Sequence, residues 1–254
     1  MKILQYGLGK PQTILLIQGS CMHVEMMAEA IELLQDKYHL LVPVLPGHER
    51  HNRRDFPHLE EATRELEADL LELGYRQVTA AYGLSMGGCM LIKMADHGQI
   101  EMGKIILDGA ITPYHYPQFI NKLILMRDLV FVKFFQKNRR LGKKLIVKYG
   151  YTEKTAEDFY NSLQMMSNRS LKNIFYGCNN YQLERGYFPE SEAYFLYGEA
   201  EAKDRRSDIE NARKYFPRLV CRELAGLDHG QLLVEEPELL MHLLNKIIEE
   251  GRSE

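Results

Sequence analysis

The stretch AAYGLSMGGCM, residues 80–90, sets a single serine between glycines where one sequence pattern gives way to another. Before it runs the β-rich VTAAYG of residues 78–83; after it, residues 86–95 carry apolar side chains at helical spacing. Gly83, Ser85 and Gly87 therefore form G-x-S-x-G at a strand-to-helix turn. A turn that lifts a serine above the end of a sheet needs small residues two before and two after it, because strand and helix backbones approach closely there. Such a turn also directs the backbone N–H of Met86 toward an oxyanion formed on a carbonyl attacked by Ser85.

Working outward, short apolar runs alternate with longer amphipathic stretches. Strands are predicted at TILLI (13–17), HLLVP (39–43), VTAAYG (78–83), KIILD (104–108), AYFLYG (193–198) and LVCREL (219–224), with KILQYG near the amino terminus supplying an edge strand. Their continuous apolar character implies burial on both faces. Helical spacing appears at 24–34, 59–73, 86–95, 209–215 and 238–249. This alternation predicts an α/β fold: a mainly parallel central sheet with flanking helices.

Residues 112–190 break the rhythm. They hold four helical patterns, at 119–135, 139–149, 153–166 and 170–178, and no strand. Nearly eighty residues are too many for one crossover connection. The expected organisation is a core of residues 1–111 and 191–254, with 112–190 as a helical cap inserted between sheet strands. The most apolar stretch, 119–135, is interrupted by Lys122, Arg127, Asp128 and Lys133, so it reads as a buried or lid helix rather than a bilayer span.

A serine at its own pKa is a poor nucleophile and needs a base, which in turn needs an orienting carboxylate. Of the nine histidines, His229 is best placed: it sits in a short glycine-containing loop between the last strand and the last helix, at the sheet edge expected to hold Ser85. For the carboxylate, Glu199, Glu201, Asp204 and Asp108 all fall at that edge, and the residues leave the choice open. All four lie between Ser85 and His229, so the chain order serine, acid, histidine holds whichever is used. His48 and His51, with Glu49 and Asp55, lack helical metal-ligand spacing and lie among arginines, so they read as a solvated loop and not a metal site.

Composition excludes several classes. A net charge of -3 gives no broad electrostatic attraction to nucleic acid or to an anionic membrane. Cys21, Cys89, Cys178 and Cys221 show no CxxC spacing. With no secretory leader pattern at the amino terminus, a cytoplasmic protein with free thiols is expected. Cys89 reads as helix packing; Cys21, beside the loop after the first core strand, is a candidate to line the pocket.

These motifs resemble the α/β-hydrolase fold superfamily, in its small, cap-bearing bacterial serine esterase form. GLSMGG resembles the nucleophile elbow, LLIQGS the strand and oxyanion loop, PVLPGHE the Pro-Gly-His segment, and GLDHGQLLVEEPE the histidine loop. The resemblance implies Ser85 as nucleophile, His229 as general base and acid, and an oxyanion hole made by the backbone N–H groups of Ser20 and Met86. It places the acid three residues after Gly198, at Glu201, ahead of Asp204 and Asp108. It also implies a carboxylesterase acting on small to medium acyl chains, with no cofactor and no metal, a small-molecule ester or acyl substrate, and room for a homodimer. Three departures stand out: Gln18 where histidine is usual, Val44 where aspartate is usual, and glutamate for aspartate at 201. Thioester hydrolysis, acyl transfer, C–C bond hydrolysis and non-catalytic ligand or partner binding are the alternatives the same residues allow. A serine at the elbow disfavours the related epoxide hydrolases and haloalkane dehalogenases, which use aspartate.

Overall fold

The structure is a computed structural model in which residues 1–49, 54–114 and 116–250 are described, residue 250 by its backbone only. His51 of the imagined metal cluster falls outside the described residues. Seven strands form one sheet: β1 (Lys2–Tyr6), β2 (Thr13–Ile17), β3 (His39–Val44), β4 (Gln77–Leu84), β5 (Glu101–Asp108), β6 (Ala193–Gly198) and β7 (Val220–Leu224). Their order across the sheet is β1-β3-β2-β4-β5-β6-β7. β1 pairs antiparallel with β3, and every other pairing is parallel.

Burial follows from the strand sequences. In β2, Leu15 and Ile17 enter one core while Ile14 and Leu16 enter the other, each fully buried. The helices supply the two outer layers. α2 (Leu59–Glu72), α3 (Met86–His97) and α8 (Ala202–Tyr215) cover the face shared with Leu15; α1 (Ala28–Leu34) and α10 (Pro237–Glu250) cover the face shared with Ile14, with the short α9 (Gln231–Val234) beside them. In α10, Leu240, Leu244, Ile247 and Ile248 form the buried stripe that its 3 and 4 spacing predicts.

Four helices lie between β5 and β6: α4 (Gln118–Lys137), α5 (Arg139–Lys148), α6 (Glu153–Met165) and α7 (Asn168–Asn180). α7 anchors them, since its Leu171 and Ile174 join the core beneath. α6 and α7 begin on Thr152 and Ser167, whose hydroxyls accept the N–H of Thr155 and Ser170. α4 is different. Leu125 and Asn121 are its buried residues, so of the two readings of this stretch, buried or lid helix, the buried one does not describe it. Among the described residues, no helix is long and apolar enough to cross a membrane.

The parallel registers bring four chain segments to one edge. Ile17 is opposite Gly83, Leu84 opposite Asp108, Asp108 opposite Leu196, and Gly198 opposite Leu224. The loops that leave these carboxyl ends carry the residues singled out in the sequence.

Candidate active site

Ser85 sits between β4 and α3 with φ 50° and ψ -109°, a strained conformation for a residue bearing a Cβ. Its backbone N–H donates to the Asp108 carbonyl at 2.7 Å. The flanking glycines are demanded by contact: a Cβ on Gly83 would lie 2.5 Å from the Gly87 carbonyl carbon, and one on Gly87 would lie 2.6 Å from the Ile17 carbonyl oxygen. Met86 opens α3, so its N–H is one of those with no acceptor inside the helix. Cys89 is buried one turn on, its thiol directed at the carbonyls of Ser85 and Ile111, which fits packing.

His229 and Glu201 come together. Imidazole Nδ1 is 2.8 Å from Glu201 Oε2. Glu201 is buried, and its other oxygen, Oε1, accepts the Gly198 N–H at 3.3 Å. The guanidinium of Arg205, one helical turn later, has Nε 3.1 Å from Oε2. Burial works against the charged carboxylate, yet the hydrogen bond and charge of His229, with Arg205 and the Gly198 N–H, outweigh it and hold the pKa of Glu201 below the usual glutamate value. Burial likewise opposes the imidazolium, and the hydrogen bond and charge of Glu201 overcome it, leaving the pKa of His229 above 6.5. Both shifts favour an ion pair.

The other carboxylates lie elsewhere. Asp204 is exposed on α8. Asp108 is buried at the end of β5, where it accepts a hydrogen bond from the Tyr82 hydroxyl. Burial lifts its pKa to about 6, opposed by Tyr82 and by the His229 charge. Glu199 accepts the Gly226 N–H at the surface.

Ser85 and His229 face the same cavity, of about 480 Å³, which Ser20 also lines. No hydrogen bond joins the Ser85 hydroxyl to the imidazole among the described residues; such contacts are often long before substrate binds. The wall is mostly apolar: Met22, Met26 and Leu84 come from the core, and Phe131, Ile146 and Phe159 from the helices between β5 and β6. Its size and lining suit a small to medium apolar ligand with a few polar contacts.

The loop that carries Ser20 is braced by residues on either side. His48 is buried rather than solvated, which corrects the reading of its loop: Nδ1 faces the Pro46 carbonyl at 3.0 Å, and Nε2 accepts the Cys21 N–H at 3.3 Å. Burial pulls its pKa down to about 4, so the ring is neutral and its two bonds fix the tautomer with Nδ1 protonated. It thereby holds Cys21, which has φ 59° and follows Ser20 directly. Gln18 braces the same loop from the other side, its Nε2 donating to the Met22 carbonyl at 2.5 Å. Cys21 itself is buried, its thiol pKa pushed up to about 12 by burial, and it is absent from the cavity wall. Tyr114 donates to Asp208 and stacks on Tyr116.

The segment joining α5 and α6 is tied to the histidine loop. Tyr151 donates its hydroxyl to the His229 carbonyl, and Gln231 Nε2 donates to the Tyr149 carbonyl at 3.0 Å. Gly109 completes the setting from below. With φ 55°, it lets the imidazole pass so closely that a Cβ there would sit 2.5 Å from Nδ1. The spacing of Glu201 and Arg205, one helical turn, was open to inspection in the sequence; the approach of Gly109 and Tyr151 to His229 was not.

Solved structures of low sequence identity share this fold along nearly the whole chain. An alpha/beta hydrolase family protein from Desulfitobacterium hafniense has a TM-score of 0.75 at 22% identity, covering 97% of this chain and 100% of its own. An esterase from Exiguobacterium antarcticum has a TM-score of 0.73 at 16% identity, covering 97% and 94%. A Bacillus megaterium epoxide hydrolase in complex with an inhibitor has a TM-score of 0.73 at 16% identity, covering 98% and 96%. No curated protein matches the chain in sequence. The family model for the alpha/beta hydrolase fold matches residues 12–176, more than half of the chain, and the protein belongs to that family.

Proposed function

We propose that the protein is a serine hydrolase that cleaves carboxylic esters of small to medium acyl chains through an acyl-enzyme. The observation that carries this reading is the 2.8 Å pair of His229 Nδ1 and Glu201 on the cavity that Ser85 also lines. Ser85 Oγ attacks the ester carbonyl while His229 Nε2 takes its proton. The N–H groups of Ser20 and Met86 stabilise the oxyanion. The tetrahedral intermediate then collapses, the C–O bond to the leaving alcohol breaks, and His229 returns the proton to that alcohol. Water, deprotonated by the same nitrogen, releases the acid and restores Ser85. Glu201 holds the tautomer with Nδ1 protonated and stabilises the imidazolium.

The helices of residues 112–190 act as the cap in this reading, and their apolar side chains select the acyl group. A serine at the elbow favours an ester over an epoxide, although epoxide hydrolases share the fold. The test is hydrolysis of p-nitrophenyl esters of increasing chain length. Turnover should rise from acetate to medium chains, fall for chains that outgrow the cavity, and vanish in Ser85→Ala. Turnover that survives in Ser85→Ala would overturn the reading.

A further inference from the structure

The outward face of α4 is apolar. Phe119, Leu123, Met126, Val130 and Phe134 recur at spacings of 4, 3, 4 and 4, which confines them to a single stripe of the helix. They are 65%, 56%, 58%, 65% and 47% exposed. A run of large apolar side chains left in solvent marks an interaction surface.

The charges beside the stripe identify what it meets. Lys122 and Lys133 border it on one side and Arg127 on the other; Arg127 is paired with its neighbour Asp128, Nη2 to Oδ1 at 2.7 Å, so the two lysines carry the net positive charge of the border. From Phe119 to Lys148 the chain holds nine Lys and Arg residues against one acid, in a protein whose net charge is -3. On α5, Arg140 and Lys144 are exposed and line a shallow groove with Val147. Apolar side chains edged by long cationic ones suit the boundary of a bilayer, where the apolar groups enter the headgroup layer and the cations reach lipid phosphates. The overall charge conceals this surface because acids elsewhere in the chain balance it.

The stripe is also continuous with the candidate active site. Phe131 on α4 and Tyr149 after α5 are 62% and 61% exposed, yet both line the cavity that holds Ser85. We propose that α4 and α5 form a docking surface for an anionic lipid bilayer, with α4 lying in the plane of the interface. One consequence rests on the hydrolase reading: an amphiphilic ester leaving the bilayer passes Phe131 to reach Ser85.

The test is cosedimentation of the full chain, carrying Ser85→Ala, with vesicles of phosphatidylcholine alone and of phosphatidylcholine and phosphatidylglycerol in equal parts. Binding is expected on the mixed vesicles and should weaken with salt. Leu123→Glu with Val130→Glu, and separately Arg140→Glu with Lys144→Glu, should each lower the partition coefficient by about tenfold or more. Unchanged thermal melts would show that both variants fold. Equal binding to the two vesicle types, or variants that bind like the parent, would overturn the proposal. So would a dimer in solution that the same substitutions dissociate while vesicles go unbound, since a second copy would then cover the stripe. Failure of Ser85 to react with a soluble fluorophosphonate would count against the hydrolase reading alone and leave the vesicle result standing.

Discussion

His229 Nδ1 stands 2.8 Å from Glu201 Oε2, and the two groups shift each other's pKa in opposite directions, toward an ion pair. The carboxylate can do this because the Gly198 N–H and Arg205 hold it from its other sides.

Replacing that carboxylate should separate it from its rivals. Glu201→Gln keeps the shape but withdraws the charge that stabilises the imidazolium, so kcat should fall by about 10³- to 10⁴-fold. Asp204→Asn, on the exposed face of α8, should leave turnover unchanged. Asp108→Asn should cost less than about tenfold, because Asp108 faces Tyr82 rather than the imidazole. Steady-state kinetics on one ester across the three variants checks the assignment, and wild-type turnover in Glu201→Gln would refute it.

The pH profile follows from the same pair. His229 must be neutral to accept the Ser85 proton, and its pKa is raised above 6.5. The kcat/KM of the free enzyme should therefore rise with pH through a midpoint above 6.5. In Glu201→Gln the opposing burial remains and the stabilising charge is gone, so the midpoint of the residual activity should move below the wild-type value. For stability the sign is reversed: a histidine bound more tightly to its proton in the folded state stabilises at pH below 6.5, and that contribution disappears as pH climbs through the folded pKa.

Gly109 offers a test by crowding. In Gly109→Ala the new Cβ would meet the imidazole at 2.5 Å, and the residue would keep φ 55°. The strain should lower stability by about 1 to 3 kcal/mol. Because His229 must move aside, kcat should fall far more than a melting shift of that size explains. Thermal unfolding and kinetics on the same preparation check the two effects together.

His48→Ala removes the acceptor of the Cys21 N–H. An unpaired buried donor costs about 1 to 3 kcal/mol. The loop that carries Ser20 should loosen, so kcat should drop while KM for a small ester changes little. Equal kcat in the variant would show that His48 supports the fold without positioning the loop.

The sheet was legible in the sequence because its strands are apolar on both faces, as LLV of β3 and FL of β6 show. Strand ends were less so. β5 starts at Glu101 and not at Lys104, because pairing with Gln77, rather than an apolar pattern, begins it. α8 starts at Ala202, well before Ile209, since its first turns face solvent with Lys203, Asp204 and Arg206 and show no apolar period. Ser85 and His229 could be named because each follows a strand at one sheet edge; four carboxylates share that edge, so the family resemblance alone sets Glu201 ahead of the others. The burial of His48 could not be read from its loop, because it depends on a partner 27 residues away. The exposure of the α4 stripe was not legible for a related reason: apolar residues at helical spacing allow a buried or a lid helix alike, and which of the two forms depends on what packs on it from elsewhere.

A Ser85 activated as a nucleophile by His229 should react covalently with an electrophile that enters its cavity. Intact-mass measurement after reaction with a fluorophosphonate, followed by peptide mapping, tests it directly. One adduct per chain is expected, located on Ser85, formed much more slowly in His229→Ala and absent in Ser85→Ala. An unmodified wild-type protein, or an adduct that persists in Ser85→Ala, would contradict it.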